Sequence, residues 1–117
     1  MTISDPHPEK PGWDTTPPDA RALLAPYRRR IDELDAQIIA LLGERFDVVR
    51  QVAALKAEHG IHPVLADRLE QVVVQAKAHA ERVGFPADVA ERIYRALLDA
   101  ACRLEADLIP TDRAAGP

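Results

Sequence analysis

The chain has 117 residues, 47% of them hydrophobic and only 4% aromatic, and carries a formal net charge of −4. That is material for one modest core, and an aromatic-poor composition rich in Ala, Leu, Arg, Glu and Asp favours helix over sheet. The acidic balance and lack of a basic run exclude a nucleic-acid surface as the default, and no stretch approaches the ~20 apolar residues that a membrane span needs.

Six of the ten prolines (Pro6, Pro8, Pro11, Pro17, Pro18 and Pro26) stand near the start, among few apolar residues that would anchor a fold. Residues 1–20 are therefore expected to be a flexible, proline-rich tail, either a contact for a partner enzyme or an unstructured leader. The opening MTISDPHPEK lacks the apolar core of a signal peptide, so the expected location is cytoplasmic. The helical domain is expected over residues 21–109. Its first helix runs from about Pro26, a residue favoured at the first helical position, to Glu58, with Gly60 and Pro63 ending it. A second runs from about Leu65 to Val83 and stops at Gly84; a third begins near Pro86 and reaches Leu108. Residues 110–117 read as a frayed end. The fold class is all-α, three helices per chain with one very long first helix.

Apolar residues on that helix fall at Ile31, Leu34, Ile38, Leu41, Val48, Val52 and Leu55, a heptad stripe broken once, at Arg45. About 33 residues of helix span roughly 50 Å, whereas a compact domain of this size has a radius of gyration of only ~13–14 Å. Two shorter helices cannot cover such a rod. A second copy is expected to bury the rest, in a homodimer.

Most charges here are ordinary: Arg28, Arg29 and Arg30 pair readily with Asp32, Glu33 and Asp35 on a wet surface. Arg45 differs because it occupies the seam, where burying an unpaired guanidinium is costly; a neighbouring carboxylate or a bound anion would satisfy it. Lys56 follows eleven residues later, on nearly the same face about 16 Å along. Arg28 is about 25 Å from Arg45 and roughly 40 Å from Lys56, too far to share one small ligand within a subunit. An antiparallel two-fold dimer would bring it to the other chain's site. Arg68, beside Asp67, adds a cation at the start of the second helix. Glu105 lies in the stripe Tyr94, Leu98, Ala101, Glu105 and faces inward by spacing, either paired with one of these cations or held protonated by desolvation. His59, His62 and His79 have no partner at metal-ligand spacing, and Cys102 reads as a small buried hydrophobe.

The stretch RRRIDELDAQIIALLGERFDVVRQVAALK, followed by HPV, DRLEQVV and GFPADV, resembles the all-helical AroQ class of chorismate mutases over about residues 24–108. The resemblance implies an intertwined homodimer with two composite sites, a small dianionic substrate, no cofactor, and the [3,3] rearrangement of chorismate to prephenate. Arg28 then matches the arginine that enters the partner's site, Arg45 one that binds a substrate carboxylate, Lys56 the contact to the ether oxygen and a carboxylate, and Arg68 the arginine opening the second helix. Glu105 falls where many relatives have a glutamine that donates to the ether oxygen. Lys56, Glu105 and Arg45 are the expected catalytic residues, and Asp67, Leu69 and Ala101 complete the expected substrate lining. Typical mutases place a glutamate just after the second-helix arginine and an aspartate three residues before it, to hold the C4 hydroxyl; here those positions are Leu69 and Leu65. That departure leaves three alternatives: a mutase of 4-amino-4-deoxychorismate, with Asp67 near the amine, an isochorismate pyruvate-lyase, or a non-catalytic helical binding dimer.

Overall fold

The computed structural model describes residues 16–109. The two tail assignments, over residues 1–15 and 110–117, lie outside the described residues. Three helices follow one another: α1 (Pro18–His59), α2 (Ala66–Val83) and α3 (Ala87–Leu108), with no strand among the described residues. The chain divides into two units within α1, the first ending at Arg45 and the second starting at Phe46.

In the first unit, α1 begins at Pro18 and not near Pro26, so residues 18–20 are helical and not part of a tail. Pro18 stands where a helix needs no donor, Asp19 complements the positive end of the first turn, and the Arg21 N–H reaches the Pro17 carbonyl at 2.8 Å. The strong helix formers of ARALLA carry the helix through Pro26, which cannot donate to the carbonyl four residues before it. Pro26→Ala is expected to restore that bond and stabilise the helix by about 1–3 kcal/mol, seen as a higher denaturant midpoint; an unchanged or lower midpoint would contradict the assignment of Pro26 to a helix interior. The stripe residues Ile31, Leu34, Ile38 and Leu41 are all exposed in the single chain, Leu41 at 63%.

In the second unit, α1 ends on Gly60, whose φ of 66° is a left-handed conformation that glycine adopts without strain, and the Ile61 N–H closes back on the Lys56 carbonyl at 2.8 Å. Gly84 does the same for α2 at φ 75°, with the Phe85 N–H reaching the Ala80 carbonyl at 2.9 Å. α2 and α3 then pack antiparallel. Val72, Val73 and Leu98 form the core, with Leu69 and Tyr94 against it, and buried Ala76, Ala80, Ala90 and Ala101 complete the small-residue faces. Across the exposed edge Arg95 donates to both oxygens of Glu70 (3.1 and 3.3 Å) and to Glu91 (2.9 Å), while Lys77 pairs with Glu91 at 3.2 Å. The Arg95 hydrogen bonds hold both carboxyls below the usual carboxylate range, Lys77 adding to the effect at Glu91. These solvated pairs fix register more than they add stability. Val48, Val52 and Leu55, on the α1 portion of this unit, remain exposed.

Candidate active site

Lys56 sits in the last turn of α1, where the Gly60 turn fixes its backbone. The chain then doubles back through His62, whose Nδ1 accepts the Val64 N–H at 3.0 Å, and this places the carbonyl of buried Pro63 over the lysine. Lys56 Nζ donates to that carbonyl at 2.9 Å and to Glu105 Oε1 at 2.7 Å. The two side chains are only 13% and 11% exposed. Glu105 gets there by helical spacing: Leu98, Ala101 and Glu105 follow one another at intervals of three and four on the buried face of α3, and the Ile109 N–H ties the Glu105 carbonyl at 2.8 Å. Of the two states foreseen for Glu105, the structure shows pairing with a cation.

Ala101, 5% exposed, lies one turn before Glu105. Leu69 is half-buried against the Val72, Val73 and Leu98 core and helps line a hollow of about 350 Å³ with Val64, Glu70, Arg95, Leu98, Asp99 and Cys102. Cys102 is half-buried, not the fully buried hydrophobe expected, because it faces this hollow. Burial pushes its thiol up, with the Glu105 charge adding and Lys56 opposing, so the hollow and the Lys56–Glu105 pair share one electrostatic neighbourhood.

The remaining sequence candidates sit differently. Arg68 is exposed, about 100° around α2 from Leu69, and donates to Gln71 at 2.6 Å. Asp67 is exposed in the first turn of α2, a further ~100° around. Arg45 is half-buried, while its seam neighbours Leu41 and Val48 are exposed, so the cost of isolating its charge arises only once that seam is covered. Arg28 is exposed and donates to Thr16 Oγ1 at 3.0 Å. Sequence reasoning missed the Pro63 carbonyl, which no side-chain pattern announces, and the Glu70, Arg95 and Asp99 rim of the hollow, read as ordinary helix-surface charge. Among the described residues no group of three or more His, Cys, Asp or Glu is placed to hold a metal ion, and no helix is long and apolar enough to cross a membrane.

The profile of chorismate mutase type II matches residues 27–106, which include Arg28, Arg45, Lys56, Arg68 and Glu105. The chain belongs to the chorismate mutase type II family. Its similar proteins include the T-protein of Haemophilus influenzae (strain ATCC 51907 / DSM 11121 / KW20 / Rd), 37% identical over 73 residues, which are 62% of this chain and 19% of that protein. The T-protein of Enterobacter agglomerans is 27% identical over 77 residues, 66% of this chain and 21% of the relative. The chain thus spans about a fifth of the length of these curated relatives. No solved structure matches it significantly. Within the chorismate mutase type II family, the matched segment starts after the first turns of α1, so Thr16 and residues 18–26 precede it.

Proposed function

We propose that this chain is a cytoplasmic, homodimeric chorismate mutase that rearranges chorismate to prephenate without a cofactor, in two sites each drawing on both chains. The observation that carries the reading is the Lys56–Glu105 pair, a nearly buried cation and carboxyl under the Pro63 carbonyl, in a chain of this family. The rearrangement is concerted, so it needs no nucleophile. It needs the compact conformer of the substrate held and the charge that develops on the breaking ether bond stabilised. The Lys56 ammonium supplies the positive charge at the ether oxygen. Glu105 holds Lys56 in the free chain and serves as a donor to that oxygen only when it carries a proton. Arg28 and Arg45 are read as carboxylate ligands, the first across the dimer, and Arg68 as a supplementary cation.

The dimer is supported by the exposure of Ile31, Ile38, Leu41, Val48 and Leu55, each more than half accessible and all in one heptad register. An apolar stripe of this length on a single chain, interrupted at Arg45, is the kind of surface that a second copy would cover.

Incubation with chorismate, 4-amino-4-deoxychorismate and isochorismate, following the loss of each, tests the substrate. Chorismate should be consumed fastest, with prephenate as product. Preferential loss of the amino compound, or release of pyruvate from isochorismate, would replace the reading by one of those activities, and turnover of none would leave a binding protein. Arg45→Ala should lower kcat/KM for chorismate by at least ~100-fold, the scale of one lost charge-assisted contact to a carboxylate, while the dimer stays folded. Loss of the dimer instead would make Arg45 a member of a structural ion pair.

A further inference from the structure

Thr16, just ahead of α1, is held at two atoms by two arginines of that helix. Arg21 donates to its carbonyl at 2.9 Å and Arg28 to its hydroxyl at 3.0 Å. The two arginines are seven residues apart, so they share one helix face about 10 Å from each other along the axis. Thr16 therefore lies back along that face and does not run on from the helix end. A free arginine side chain on a helix surface samples many rotamers, and ordering one costs up to ~2 kcal/mol. A hydroxyl fixed in place at its tip removes part of that cost beforehand. A guanidinium has five N–H donors, so a bond to a threonine oxygen is compatible with its carrying an anion as well.

We infer that Thr16 is a positioning residue for Arg28: through its hydroxyl, the segment ahead of the family-matched region presets the guanidinium for the substrate carboxylate. The inference rests on the reading of Arg28 as a substrate ligand given above. It extends the site to a residue outside the segment shared with the family, which starts at Tyr27. Arg21 fixes the threonine backbone and Arg28 receives the benefit.

The test is steady-state kinetics with chorismate on Thr16→Val, which keeps the shape and removes the acceptor, and on Thr16→Ser, which keeps the hydroxyl. Thr16→Val should raise KM about 3- to 10-fold, the range expected for one ordinary solvent-exposed hydrogen bond, with kcat changed less than twofold. Thr16→Ser should keep the parental KM. In an Arg28→Ala background Thr16→Val should have no further effect, because the group it positions is gone. A parental KM in Thr16→Val, an effect of equal size in the Arg28→Ala background, or failure of Thr16→Ser to rescue would overturn the proposal. So would a lowered KM, which would make the hydroxyl a competitor for the arginine. If Arg28→Ala itself keeps the parental KM, the role of Arg28 in the site fails; if Arg28→Ala is impaired and Thr16→Val is not, only the role of Thr16 fails. Circular dichroism and sedimentation of each variant confirm that helix content and assembly are retained.

Discussion

Replacing Lys56 by methionine is expected to lower kcat for chorismate by ~100- to 1000-fold, and to destabilise the chain at the same time. The two effects have separate origins. On the proposed reading turnover depends on a positive charge at the ether oxygen, and removing one such preorganised group from a closed site costs about 100- to 1000-fold. Stability falls because Glu105, 8% exposed, loses its cation while remaining buried among Ala101 and its neighbours. Removing one partner of a buried pair typically costs ~3–5 kcal/mol, and the residual exposure here places the expectation near the lower end. Lys56→Met with Glu105→Leu should recover most of the stability and none of the activity, as read by chemical denaturation and a chorismate assay. If the single variant denatures like the parent, Glu105 finds another partner or water, and the pair is not the structural tie that its geometry suggests. If turnover survives in the single variant, Lys56 is not the group at the ether oxygen.

Ile38→Asp should dissociate the proposed dimer. In the single chain Ile38 is 53% exposed, in the middle of the stripe, and a second copy is the proposed cover. Burying an isoleucine side chain contributes ~1.5–3 kcal/mol, an aspartate in its place adds a desolvation penalty, and a two-fold axis makes every substitution count twice. The dissociation constant should rise at least ~100-fold, visible by sedimentation, and activity should fall with the dimer fraction. Ala40→Asp, about 200° further around the same helix, should leave both unchanged. A parental mass for Ile38→Asp, or equal losses from both variants, would remove the stripe as the interface.

What was legible in the sequence was what local chemistry decides. Gly60 and Gly84 closed α1 and α2 where expected, since both adopt left-handed backbone that few other residues tolerate. The inward direction of Glu105 followed from its spacing to Leu98 and Ala101. Its partner did not, because Lys56 lies 49 residues away and the meeting depends on how α3 returns along the antiparallel pair. The start of α1 was read too late. Pro26 resembles a helix opening, and only the Pro17–Pro18 pair ahead of it, with seven residues between that are mostly good helix formers, shows that the helix is already under way. At Arg68 the resemblance named a residue whose guanidinium, in the single chain, is taken up by Gln71 one turn on.

The coordination of Lys56 has a further consequence. An ammonium carries three N–H bonds, and two of them are committed, one to a main-chain carbonyl that no substitution of a side chain can delete and one to a carboxyl that is free to trade places. The third is the only direction in which a visitor can be greeted without rearrangement; a second contact requires Glu105 to let go. A ligand that brought one acceptor atom would be admitted without rearrangement, and one that brought a second would have to offer the carboxyl something in return.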